Sequence, residues 1–248
     1  MSAVLASTRF DTIDYGERLR LGVILPSGNV VAEPQIRAML PPGAAAYVTR
    51  LALRGTTEAE LLAMSERVED AAGLLADARP DAIVFHCTAV TTFSPTAGAD
   101  IRARIEAATG IPGLVTSDAL AAAFAGLGMG RVTLLTPYTA ATHNREIGFL
   151  QALGVEVVSD ATLGLENNEE MARVSAADLF DWAVSQRDDR AEGYFLSCTA
   201  IRTAELIEPL ERALGRPVVT SNQAMVWHAL RSCGSVAARQ GFGRLMVL

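Results

Sequence analysis

Residues 193–203 read GYFLSCTAIRT, an apolar and aromatic run of strand character that stops at Ser197-Cys198-Thr199. Residues 81–92 read DAIVFHCTAVTT, the same pattern stopping at His86-Cys87-Thr88-Ala89. Each Cys-Thr-Ala closes a predicted strand, and a helical pattern follows each one. Both thiols are therefore expected at a strand C-terminus, just before a helix N-terminus. Free N–H groups and the helix dipole at such a point favour a thiolate and hold anionic oxygen.

The echo extends outward from the two cysteines. Pro26 ends a predicted strand over 21–25, Pro137 ends one over 131–136, and each proline precedes its cysteine by 61 residues. Downstream, GLVTS at 113–117 and PVVTS at 217–221 match again, each opening a helix. Strands alternate with helices throughout, which means parallel sheets covered by helices. The expected fold is α/β, with two pseudo-symmetric halves, each a mostly parallel sheet flanked by helices, and the active site between them. The expected divisions are a mobile leader over 1–20, a first half over 21–128 and a second over 129–248, its C-terminal segment placed to pack back on the first half. Single helices are expected over 58–78 and 204–214. Ligands of such sheets bind beyond the strand C-termini, the rim where Asn29, Cys87, Ser117, Tyr138 and Cys198 fall.

Composition narrows the chemistry. The 248 residues are 50% hydrophobic, enough for a sizeable core, and the net charge of −7 argues against nucleic acid or an anionic membrane as partner. All 21 basic residues are arginine, so a lysine Schiff base and a P-loop lysine are both excluded. Three cysteines without a paired framework read as reduced thiols, and no apolar run approaches a membrane span, so a cytoplasmic location is expected. His86, His143 and His228 are scattered and no CxxC occurs, so no metal site is expected. Cys233 lacks the repeated context and reads as an inert thiol. His86 adjoins Cys87 but faces the opposite side of the strand, which suits a supporting role. Ser27, Thr88 and Thr199 are candidates for substrate contact or for capping, Asn29 and Asn168 for substrate contact or for turns, and Tyr138 for substrate contact or for packing. Arg54 and Arg202 are candidate partners of a carboxylate, or plain surface charges.

In order and spacing, PSGNVVAEP, TPY, LENNEEMARV, SCTAIRT, PVVTSN and GFGRL resemble the aspartate/glutamate racemase superfamily, in its maleate cis-trans isomerase and arylmalonate decarboxylase branch. The resemblance covers nearly the whole chain. It implies a cofactor-independent enzyme of two α/β halves, often a homodimer or homotetramer, acting on a small carboxylate. By position it implies that Cys87 and Cys198 are catalytic and that Asn29 and Tyr138 bind substrate. Asn168 resembles the asparagine that isomerases use on substrate, with Asn167 one register away. Ala89 and Ala200 join Thr88 and Thr199 as expected backbone contacts to substrate. Arylmalonate decarboxylases keep only the second cysteine, so the pair points away from decarboxylation, whereas threonine after each cysteine resembles the racemases.

Two reactions suit the pair. In the first, Cys87 as a low-titrating thiolate adds to the double bond of a dicarboxylate such as maleate, and Cys198 as a thiol protonates the adjacent carbon. In the second, the two thiols act as opposed bases in racemisation of an amino acid. Lower in order stand an arylmalonate decarboxylase-like reaction and an inactive small-acid binder.

Overall fold

Strands that are apolar at every position need cover on both faces, and parallel sheets between helices supply it. The computed structural model describes residues 13–248. The leader expected over 1–20 lies outside the described residues as far as residue 12, and Leu19 and Arg20 already belong to the first strand. The first half runs β1 (Leu19–Pro26), α1 (Ala32–Met39), β2 (Ala44–Leu51), α2 (Glu58–Ser65), α3 (Val68–Ala76) and β3 (Ala82–Phe85). It continues with the single turn α4 (Thr88–Thr91), then α5 (Ala97–Thr109), β4 (Gly113–Val115) and α6 (Thr116–Leu127). The second half runs β5 (Arg131–Thr136), α7 (Ala140–Ala152), β6 (Glu156–Thr162), α8 (Asn168–Arg173), α9 (Ala176–Ser185), β7 (Gly193–Leu196), α10 (Ile207–Leu214), β8 (Val218–Thr220) and α11 (Ser221–Ser232). The sheets have orders β2-β1-β3-β4 and β6-β5-β7-β8, and every pairing is parallel. The same order in both sheets is the repeat expected from the matched spacings. Among the described residues no helix is long and apolar enough to cross a membrane.

Two expected helices differ. The segment over 58–78 is broken between α2 and α3, where Ser65 Oγ donates to the Leu62 carbonyl at 2.7 Å and Arg67 leaves helical geometry. Such back-bonding by serine loosens a helix, and Met64 and Val68 on either side of the break are both buried. The segment over 204–214 opens as a 3₁₀ turn at Ala204–Leu206, and α10 starts only at Ile207. Pro209 then falls in the first helical turn, where its missing N–H forfeits no bond.

The halves share their core. One buried cluster joins Leu61, Phe85 and Cys87 of the first half to Tyr138, Leu196 and Cys198 of the second. On the other side of the sheets, Phe124 of α6 meets Phe195 of β7 edge-on, with ring centroids 5.3 Å apart. Beyond α11 the chain returns to α1, where Arg239 donates to the carbonyls of Met39 at 3.1 Å and Ala38 at 3.0 Å.

Buried polar groups stitch the seam. His86 Nε2 lies 2.8 Å from Asn222 Oδ1, and Asn222 Nδ2 donates to Gln35 Oε1 at 2.9 Å. Because Asn222 presents an acceptor, Nε2 carries the imidazole proton and Nδ1 accepts from Thr116 Oγ1 at 2.9 Å. Burial pushes His86 down to about 4, so it is neutral at pH 7.

Two predictions follow from this packing. At Gly193, which opens β7, an added Cβ would meet Pro217 O at 3.0 Å and collide with Met129 Cε, whereas at Gly148 in α7 it meets nothing within 4 Å. Urea denaturation should show Gly193→Ala destabilised by about 1–3 kcal/mol and Gly148→Ala stabilised by about 0.5–1 kcal/mol. For His86 the folded value lies below the unfolded 6.5, so its stabilising contribution is complete above 6.5 and is lost as pH falls to about 4. Over that window the wild type should lose on the order of 3 kcal/mol more than His86→Gln.

Candidate active site

Cys87 is the N-cap of α4, in extended geometry, and the N–H groups of Ala89 and Val90 point at its sulfur. Cys198 follows β7 but precedes a turn rather than the expected helix, since α10 is delayed to accommodate Pro209. Its φ of +104° lies in the region that side chains avoid, a strain of about 1–3 kcal/mol that surrounding contacts must hold. Those contacts are present. Cys198 N–H donates to Ser221 Oγ at 3.1 Å, Ala200 N–H donates to Cys198 Sγ at 3.2 Å, and Met171 Sδ lies 3.8 Å from that sulfur. The Tyr138 hydroxyl is also close enough to Cys198 to favour its thiolate.

Desolvation decides the protonation of this site. Burial pushes both thiols up to about 12, outweighing the amide donors, and a charge on Cys198 raises Cys87 further. The low-titrating Cys87 expected from its helix N-terminus is therefore not found: both sulfurs are protonated at pH 7. Tyr138 is raised well above 10, first by burial and then by Cys198, Glu146 and Cys87. Cys87, Cys198 and Tyr138 thus form one electrostatic unit drawn from both halves.

The other candidates surround this unit or brace it. Asn29 accepts the N–H groups of Val31 and Ala32 at 2.9 and 3.0 Å and donates to Thr199 Oγ1 at 2.9 Å, across the seam. Thr88 Oγ1 donates to Ser221 Oγ at 2.9 Å, also across the seam. Ser27 Oγ is engaged with Leu53, accepting its N–H at 3.1 Å and lying 3.5 Å from its carbonyl oxygen, so it closes a turn. Asn167 caps α8 by accepting Glu170 N–H at 3.0 Å. Asn168 is buried on the inner side of α8, its N–H donating to Arg54 O at 3.0 Å, and Met171 of the same helix reaches Cys198. A cleft of about 650 Å³ is lined by Gly28, Val30, Arg54, Asn168, Ala172 and Arg202 among others. Arg54 and Arg202, from different halves, are exposed there, and neither forms an ion pair among the described residues. Neither this cleft nor a larger hollow of about 780 Å³ beside Asp14, Arg18 and Arg239 has a thiol in its lining, and the cleft lies beside the thiols through Asn168 and its helix α8, whose Met171 reaches Cys198.

Four residues of the site escaped the reading of the sequence: Ser221, Asn222, Met171 and Glu146. Ser221 and Asn222 stand in the repeated PVVTSN, and Met171 in LENNEEMARV, so their segments were visible though not their contacts. Glu146 has a quieter signal. It stands 111 residues after Gln35, the offset that also separates Cys87 from Cys198.

Known proteins resemble this chain in sequence and in fold. The chain is 31% identical over 229 residues to the arylmalonate decarboxylase of Bordetella bronchiseptica, covering 91% of this chain and 95% of that protein. It is 28% identical over 241 residues to the maleate isomerase of Nocardia farcinica, covering 92% of this chain and 95% of that one. A solved structure of the Nocardia farcinica maleate cis-trans isomerase, a cysteine-to-serine variant with a covalently bound succinylcysteine intermediate, matches with a TM-score of 0.86. It does so at 24% identity, over 92% of this chain and 98% of that chain, and shares the fold. The arylmalonate decarboxylase family model matches residues 21–246, nearly the whole of the chain, which therefore belongs to that family.

Proposed function

We propose that this chain is an isomerase of a small carboxylate, converting maleate to fumarate with Cys87 and Cys198 as its reacting groups. The carrying observation is the pair of buried thiols on equivalent strand ends, near enough for one to influence the other's ionisation, in a chain with a maleate isomerase relative at 28% identity. The second cysteine argues against the decarboxylase reading, because the resemblance to arylmalonate decarboxylases carries only one.

The route uses groups of the chain, with solvent taking one proton. Cys87 loses its proton to solvent as substrate enters, with the Ala89 and Val90 N–H groups favouring the thiolate. The sulfur adds to one olefinic carbon, and the electron pair moves to the neighbouring carbon and its carboxylate. Cys198 delivers its proton to that carbon and becomes the thiolate, with Ala200 N–H and Tyr138 as donors. The central bond is now single and rotates. Cys198 then takes the proton back, the carbon–sulfur bond breaks, and fumarate leaves with Cys87 again a thiolate. Asn29 and Asn168 are proposed to hold the carboxylates, Asn168 in preference to Asn167 because Asn167 is committed to its cap.

A specific observation favours the racemase as second reading. The two thiols are raised alike, as suits two bases that exchange roles. Proton NMR of maleate in deuterium oxide separates the readings. Wild type should form fumarate, with Cys87→Ser and Cys198→Ser each slower by about 10²–10⁴-fold. Absence of fumarate together with α-deuterium exchange into an amino acid would replace isomerase by racemase.

The two arginines at the cleft generate a separate expectation. An unpaired guanidinium pair should steer an anionic substrate toward the site in an otherwise acidic protein. Arg54→Gln/Arg202→Gln should lower kcat/KM by about 10-fold at low salt and flatten its dependence on ionic strength. Equal salt dependence in wild type and variant would remove the arginines from substrate capture.

A further inference from the structure

Glu146 projects from the inner side of α7 and is 1% exposed. Its Oε1 accepts a 2.6 Å hydrogen bond from Ser197 Oγ, and its Oε2 has no partner among the described residues. Ser197 is the residue before Cys198. A buried carboxylate with one neutral donor is poorly compensated, so the uncharged acid is the form that suits this place. Burial indeed pushes Glu146 up to about 8, opposed by the Ser197 bond.

The repeat shows what the position does. Gln35 precedes Glu146, and His86 precedes Ser197, by the same 111 residues that separate the two cysteines. In the first half Gln35, on the inner side of α1, accepts from Asn222, which in turn accepts from His86. In the second half Glu146, on α7, accepts directly from Ser197. The residue before each thiol is thus anchored to the first helix of its own half, through an amide in one case and a carboxyl in the other. Only the carboxyl can acquire a negative charge.

We propose that Glu146 is the positioning residue for Cys198: as the uncharged acid it braces Ser197 and the strained Cys198 turn, and as the carboxylate it disables that thiol. The proposal rests on the two-thiol isomerase reading above. The groups facing Glu146 are Tyr138 from the end of β5 and Cys198 from the end of β7, and its charge raises both. On its own helix, His143 is held by Thr136 at 2.9 Å and by Asp160 of β6 at 2.8 Å. Arg145 is directed elsewhere, 3.7 Å from Glu58 and over the Phe93 ring. No arginine forms an ion pair with Glu146 among the described residues. Below about pH 8 the acid is neutral, and negative charge can develop on Cys198 when it gives up its proton. Above that, the carboxylate opposes both that charge and the anionic substrate.

The test is the pH profile of kcat with maleate for wild type, Glu146→Gln and Ser197→Ala. Relative to Glu146→Gln, wild type should fall above about pH 8 by about tenfold per pH unit, as a single ionisation requires. Glu146→Gln should lack that fall. Ser197→Ala, which removes the bond stabilising the carboxylate, should move it upward by about half a pH unit or more. A Glu146→Gln profile that falls where the wild type falls overturns the proposal, and so does a Ser197→Ala profile that does not move. Denaturant unfolding supplies a readout free of turnover. The folded value of Glu146 exceeds the unfolded 4.5, so its stabilising contribution is complete below 4.5 and is lost as pH rises to about 8. Stability of wild type relative to Glu146→Gln should therefore decline across that window and level off above it. A flat difference overturns the proposal even where maleate is not turned over, whereas absence of turnover with a declining difference counts only against the isomerase reading. If Glu146→Gln does not fold, the Ser197→Ala limb decides.

Discussion

Water is kept from the seam between the two sheets, and each polar group there must consequently be paired, neutral, or both. His86 is paired twice and neutral, Asn222 bridges it to Gln35, and Asn29 and Thr88 bond across to Thr199 and Ser221. The thiols, Tyr138 and Glu146 are pushed toward their protonated forms by the same desolvation. These are one constraint seen at different residues. A buried hydrogen bond between uncharged partners contributes only about 1 kcal/mol, but leaving either partner unpaired costs more. The network therefore fixes geometry more than it adds stability.

A neutral site suits thiolate chemistry only where donors are already aimed at the sulfur. Burial that raises the thiols also excludes water from a carbanion-like intermediate, where amide and hydroxyl donors act with full strength. The donors at hand are already aimed at sulfur: Ala89 and Val90 at Cys87, Ala200 and Tyr138 at Cys198. Outside, Arg54 and Arg202 present positive charge at the cleft of a protein with net charge −7. Attraction at the mouth and neutrality within are compatible, because the guanidinium groups remain in water and the thiols do not.

Much of this was legible in the sequence because it is local. Strand ends are written in GYFLSC and AIVFHC, and the 61-residue spacing from Pro26 and Pro137 is enough to infer two equivalent halves. The parallel sheets, their common order and the rim positions of Cys87, Cys198, Asn29 and Tyr138 agree with that inference. What was not legible depends on burial by distant segments. Glu146 sits in HNREIGFL, where a glutamate reads as a solvent-facing helix residue until Ser197 is known to lie against it. The low Cys87 value failed for a related reason. A helix N-terminus is visible in sequence, whereas the desolvation that overrides it is not. The late start of α10 could have been read, since Pro209 is intolerant of any place but the first turn.

Duplication poses a problem that the structure resolves by small departures. Two identical halves would present two identical thiols, and identical thiols cannot be nucleophile and acid in a fixed order. The halves depart from symmetry where it matters: Cys87 caps a helical turn, whereas Cys198 is held at positive φ before an irregular one. His86 precedes one thiol and Ser197 the other, and Gln35 in the first half is replaced by Glu146 at the equivalent position of the second. Each departure changes hydrogen bonding or charge beside one sulfur and leaves its counterpart alone. A racemase, whose two bases trade roles with the handedness of the substrate, has little use for such a bias. Addition at one carbon and protonation at the next, always by the same two sulfurs, requires one. The broken symmetry therefore favours fixed roles for Cys87 and Cys198, independently of the resemblance that first suggested them.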